Sequence, residues 1–266
     1  MSPKKAQHRQ KSEEQQLDFR TRPLEILVGA SRTAFYIHES LICGSSEFFK
    51  NAMNRDWKES QERSVPLPDD DVEIFDLYSK WLYTGTITYV ADEASIKEAI
   101  AEQDLKDFKS PSKLDEIEDK VSAIYVQLAK AIVMGEKLQD VKFKDAITDT
   151  ITDCISNFTL PSMPGFHFNP GYEFVNIIYA GTMESAPIRR LLVEIWVNQA
   201  SKTWLLPSST ASEKLPNDFY YDLSAGLLEG RVVLFKDETA FRKRKQTCCW
   251  HSHGAEAPCS KRQKET

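Results

Sequence analysis

The residues with the most evident chemical capacity crowd the end of the chain. Cys248-Cys249-Trp250-His251-Ser252-His253, with Cys259 beyond, places thiol and imidazole donors within 12 residues. Cys249, His251, His253 and Cys259 would make a four-ligand set for tetrahedral zinc, which accepts sulfur and nitrogen together. Their spacing, C-x-H-x-H-x5-C, departs from the common finger patterns, and His251 and His253 share a side only in an extended chain. A small zinc clip stapling the tail onto the rest of the protein is one reading. A solvated tail with free thiols is the other. Upstream, Arg242-Lys243-Arg244-Lys245 is a basic run that suits a nuclear localisation signal, a phosphate contact or a solvated helix end. It lacks the interleaved aromatics of a base-stacking surface.

Elsewhere the chemistry thins out. His38 closes an alternating apolar stretch and reads as a packed, hydrogen-bonded residue rather than a ligand. Asp69-Asp70-Asp71 stands just before a helical pattern, where acids cap the orphan amides and complement the helix dipole. Gly29-Ala30-Ser31 is a hairpin turn, not a phosphate cradle, and no Gly-x-Ser-x-Gly elbow is present. With no catalytic constellation, the chain is expected not to be an enzyme.

The elements that must carry these residues follow from composition and periodicity. A chain of 266 residues with 41% hydrophobic and 11% aromatic content can bury a core as one large or two small domains. The net charge of −6 disfavours bulk nucleic-acid binding. The charge is uneven: residues 91–120 hold ten acids against five bases, and 236–266 hold eight bases against four acids. Five cysteines do not suggest a disulfide framework, and Cys43 and Cys154 sit in apolar surroundings as buried thiols. No apolar run approaches the roughly 20 residues of a membrane helix, and Met1 to Gln16 lacks a signal-peptide core. An intracellular protein, cytoplasmic or nuclear, is expected.

Residues 1–19 read as a disordered polar tail. Leu24 to Val28 and Phe35 to His38 alternate as two strands of a hairpin. Residues 39–54 switch to helical period, broken at Gly44-Ser45-Ser46, where a serine can cap the second helix. Val65 and Leu67 form a short third strand. Ile74, Phe75, Tyr78, Trp81 and Leu82 stripe a helix capped by Asp71 and closed by Gly85. Residues 91–120 read as a solvated acidic insertion with transient helix. Two further stripes follow, Ile124-Tyr125-Leu128-Ile132 and Phe143-Ile147-Ile151-Cys154-Ile155-Phe158. After a Pro- and Gly-rich loop, helices are expected near 172–180, 186–200 and 216–229, the last burying Phe219, Leu223 and Leu227.

Six of these segments, in this order, resemble a BTB/POZ domain, and the wording resembles the short BTB proteins of filamentous fungi. They are Phe35-Tyr36-Ile37-His38, Leu41-Ile42-Cys43 with Ser46-Glu47-Phe48-Phe49, Leu67-Pro68-Asp69-Asp70-Asp71, Trp81-Leu82-Tyr83-Thr84-Gly85, Tyr125 to Ala129, and Gly135 to Asp140. The resemblance implies an α+β fold, a small sheet flanking a helical cluster, over residues 20–155 with the acidic insertion at about 91–120. A helical extension (156–235) and a basic, Cys/His-rich tail (236–266) follow.

The family binds proteins, by homodimerisation or by holding a cullin. Its cullin-binding members carry an apolar residue, any residue and a glutamate before the third strand, and Trp57-Lys58-Glu59 stands at that place. An exposed aromatic can anchor in a partner pocket, and a carboxylate can accept charge-assisted hydrogen bonds. A Trp57 packed on its own domain and a solvated Glu59 is the plainer alternative. The function implied is a protein-interaction module, an adaptor recruiting partners to a cullin-type ubiquitin ligase. The competing function is a nuclear transcription- or chromatin-associated factor that oligomerises through the BTB domain and uses the tail. Pro23, and residues 1–16 without strand pattern, argue against a strand-exchanged homodimer and leave packing through the first helices.

Overall fold

The computed structural model describes residues 20, 22–54, 61–88, 96–101, 111–159, 167–200, 202–205, 214–229 and 251–253. Its first element is a hairpin. Strand β1 (Pro23–Val28) and strand β2 (Thr33–His38) pair antiparallel with Leu24 opposite Ile37 and Ile26 opposite Phe35. The turn between them uses positive φ at Gly29 (71°) and Arg32 (51°), which lets the chain reverse in four residues. Alternation sorts the faces: Leu24, Ile26, Val28 and Ile37 are buried, while Tyr36 on the opposite face is 64% exposed.

Helix α1 (Glu39–Ser45) and helix α2 (Glu47–Ala52) follow at once. Ser46 separates and caps them. Its Oγ accepts from the Phe49 amide and donates to the Leu138 carbonyl at 2.5 Å, joining α2 to a turn far along the chain. Strand β3 (Ser64–Leu67) then lies parallel to β1, with Ile26 beside Val65 and Val28 beside Leu67. The three-stranded sheet therefore has the order β2-β1-β3. Helix α3 (Val72–Thr84) starts at Asp71, whose carboxylate accepts from the Glu73 amide, and ends at Gly85 with φ of 70°. Both ends obey the capping expected from the sequence.

Helix α4 (Pro111–Lys137) and helix α5 (Val141–Asn157) form the centre. The turn between them is tight. Gln139 takes φ of 52°, and the Asp140 amide donates to the Gly135 carbonyl as α4 closes. Asp140 then caps α5 by accepting from the Phe143 amide at 2.9 Å. It is fully buried, and it also accepts from the Tyr78 hydroxyl at 2.9 Å. Around that bond Tyr78, Trp81 and Phe143 pack with ring centroids 4.9 to 6.0 Å apart. Burial and the neighbouring Asp140 raise the pKa of the Tyr78 phenol, which keeps its proton for this bond.

Helix α6 (Tyr172–Gly181), helix α7 (Pro187–Gln199) and helix α8 (Asn217–Glu229) complete the described fold. Gly181 lies where α6 meets α4. A Cβ there would fall 2.3 Å from a methyl of Val133, so only glycine permits the approach. Buried Arg189 ties α7 to α6: it donates to the Tyr179 and Thr182 carbonyls and to Thr182 Oγ1, with its guanidinium 4.3 Å from the Tyr179 ring centre. The α7 face of Ile188, Leu191, Leu192, Ile195 and Trp196 is buried as its spacing requires.

The protein is thus α+β and mostly helical, with one apolar core running from Leu24 to Leu223. Two expectations fail. Leu227 is 50% exposed: in the last turn of α8 it is Gly226 that lies against α7, where a Cβ would fall 2.6 Å from a methyl of Val193, and Leu227 stands beside that contact. The acid-rich segment is also less solvated than its charge implied. Residues 96–101 are helical, α4 begins at Pro111, and Ile96, Ile100 and Ile117 are core residues. A few apolar side chains at helical spacing anchor a segment that carries twice as many acids as bases. Among the described residues no helix is long and apolar enough to cross a membrane.

Candidate functional site

The Cys/His tail meets the body of the protein on α5. That helix buries Phe143, Ile147, Ile151, Cys154 and Ile155 on one side. At about 100° per residue, Asp145 and Asp149 stand on the other side, one turn apart and aligned with each other. Residues 251–253 cover them without forming a helix. The Ser252 amide donates to Asp145 Oδ1 at 2.6 Å, and His251 Nε2 lies 2.9 Å from Asp149 Oδ1. Because an ionised carboxylate only accepts, Nε2 carries a proton, and in the neutral imidazole Nδ1 then keeps its lone pair. His251 Nδ1 lies 3.2 Å from His253 Nε2 and 3.9 Å from Asp145 Oδ2. His253 Nε2 is in turn 3.8 Å from the same carboxylate oxygen.

The cluster is shielded from water. The side chains of His251, His253 and Asp145 are 3%, 9% and 14% exposed. Burial pushes the Asp145 pKa up, while the Ser252 amide and the two imidazoles oppose it. Among the described residues, Asp145, His251 and His253 could hold a metal ion, each offering one donor atom within 4.8 Å of the other two. Asp149 would orient His251 from behind.

Of the zinc ligands expected from the sequence, His251 and His253 are therefore brought together. Cys249 and Cys259 lie outside the described residues, as do Cys248 and the basic run 242–245. Asp145 and Asp149 were missed. Their one sequence signal is an acidic pair one helical turn apart on the face away from the apolar stripe. Nothing in the sequence says that a segment 102 residues later would cover it.

Trp57, Lys58 and Glu59 lie outside the described residues, in the connection between α2 and β3. Residues flanking that connection are well anchored. Arg63 pairs with Glu39 at 2.8 Å and donates to the Arg22 carbonyl, holding the entry to β3 against the start of β1. His38 has a structural partner: its backbone amide and Nδ1 lie 3.1 and 2.8 Å from the Tyr83 hydroxyl. Asp70 and Asp71 form ion pairs with Lys137 and Lys130. Cys154 is a buried thiol, and half-buried Cys43 has its pKa pushed up to about 11 by burial and by Glu39. A raised pKa leaves little thiolate, so Cys43 is a poor nucleophile at neutral pH.

A cavity of about 250 Å³ opens beside Phe168, Tyr172, Trp196 and Trp204. His167 is at its edge, and its Nδ1 lies 2.9 Å from the Ile155 carbonyl, to which it donates, fastening this segment to the end of α5. The lining is mainly apolar and aromatic.

No family model and no curated protein sequence matches this chain.

Proposed function

We propose that this chain is a protein-interaction module of BTB/POZ type, an adaptor that recruits partners to a cullin-type ubiquitin ligase, and that it acts by binding rather than by catalysis. The observation that supports the reading best is the order of elements around the sheet. A hairpin leads into two short helices, a third strand returns parallel to the first, and a capped helix and two longer helices follow. A small three-stranded sheet beside helices agrees with the architecture that the six segments imply. Trp57-Lys58-Glu59 falls in the connection just before β3, where the cullin-binding pattern is placed.

The matching residues are mostly core. Ile37, Ile42, Phe49, Leu67, Phe75 and Trp81 are buried, so they support the fold and say little about the partner. The partner reading rests on the connection between α2 and β3. Affinity purification of the full chain with mass spectrometry tests it. Recovery of a cullin, lost in a Trp57→Ala/Glu59→Ala double variant, is the expected result. No cullin at micromolar protein would overturn the adaptor role. A salt-sensitive DNA shift in its place would favour the nuclear factor.

A further inference from the structure

We infer that Asp145, His251 and His253 form a binding site for one divalent transition-metal ion, zinc by its donors, and that the ion fastens residues 251–253 to helix α5. The inference is independent of the adaptor reading.

Three observations carry it. The first is donor spacing. His251 Nδ1, His253 Nε2 and Asp145 Oδ2 form a triangle with sides of 3.2, 3.9 and 3.8 Å. The centre of that triangle is about 2.1 Å from every corner, which is the length of a zinc–imidazole or zinc–carboxylate bond. An ion at or just above that point needs only sub-ångström adjustment, and a further coordination position stays open.

The second is the support behind the ligand. A metal-bound histidine commonly donates its other N–H to a carboxylate, which fixes tautomer and ring orientation. His251 does this toward Asp149 at 2.9 Å, leaving Nδ1 as the donor atom facing His253 and Asp145.

The third is the setting. Imidazole and carboxylate together select first-row ions such as zinc over magnesium or calcium, which favour all-oxygen shells. The donors are nearly buried, on a helix face that carries no apolar stripe to hold a tail by packing. A polar segment laid on a polar face gains little from desolvation, and a shared ion supplies the attachment. Lacking an ion, a single proton between the two histidines would satisfy them. That arrangement predicts a tail contact indifferent to metal.

Zinc alone, titrated into the chelator-treated full chain, is the probe. One ion per chain is expected. His251→Ala, His253→Ala and Asp145→Ala should each weaken binding at least tenfold. Asp149→Asn should weaken it by about 10- to 100-fold while keeping the one-ion stoichiometry. Circular dichroism checks that each variant keeps its helices. Should one unfold, amide exchange of the wild-type chain decides instead: zinc should slow exchange across residues 251–253. No bound zinc in the wild type, wild-type affinity in the Asp145 and histidine variants, or exchange at 251–253 that ignores zinc would overturn the proposal.

Discussion

Asp140 caps helix α5 and Asp145 stands five residues on; the first is fully buried and the side chain of the second is 14% exposed. Their partners differ. Asp140 is satisfied within the fold, by the Phe143 amide at the start of its own helix and by Tyr78 from α3. Asp145 is satisfied by Ser252, in a segment that reaches α5 from far along the chain, and it looks toward two imidazole nitrogens. A buried acid whose bonds all close inside the core specifies the structure. A buried acid whose partners come from a short polar segment, with nitrogen donors converging beside it, has capacity left over for a ligand. Burial separates the two only in degree; the origin and chemistry of their partners separate them in kind.

The largest effect is expected from Asp140→Ala, which removes a helix cap worth about 1 kcal/mol and deprives the buried Tyr78 hydroxyl of its carboxylate acceptor at a further ~1–3 kcal/mol. Urea denaturation should show a loss of about 3 kcal/mol. A loss below about 1 kcal/mol would mean that Asp140 is not a structural anchor. Tyr78→Phe comes next. It keeps the ring packing and the cap but takes away one hydrogen bond to Asp140, so about 1–2 kcal/mol should be lost in the same assay. Combined with Asp140→Ala in a double-mutant cycle, it should be non-additive, since both changes remove one bond.

Asp145→Ala should cost less than about 1 kcal/mol in the absence of metal, because its face of α5 lies outside the apolar stripe. With zinc the two chains should part. The wild type should gain thermal stability as the ion concentration rises, and the variant should not. Equal gains would place the ion elsewhere. Lys137→Ala is the smallest change. Its ion pair with Asp70 is made by a side chain 43% exposed, so thermal denaturation should register at most about 0.5 kcal/mol.

Much of the fold was legible because local rules and packing agree. Ser46, Asp71 and Gly85 do at their helix ends what their side chains and dihedral freedom allow. The alternation of Leu24 to Val28 and the three-four spacing from Ile74 to Leu82 name the buried faces directly. The departures come from tertiary context. Ile96 and Ile100 are too few to outweigh ten acids in a composition, yet two side chains one turn apart suffice to reach a core already built by other elements. Leu227 stands at the edge of its helical stripe, and the contact with α7 falls on Gly226 beside it. The site was half legible. His251 and His253 announce themselves by type and spacing, whereas Asp145 and Asp149 look like any solvated helix face until the tail is laid on them.

The most direct measurement is anomalous X-ray scattering at the zinc edge from crystals of the zinc-equilibrated full chain. One anomalous peak is expected within bonding distance of His251 Nδ1, His253 Nε2 and the Asp145 carboxylate, with Asp149 hydrogen-bonded to the far side of His251. A peak at another place with His251 still bonded to His253, or no peak at all, would contradict a metal site at these residues.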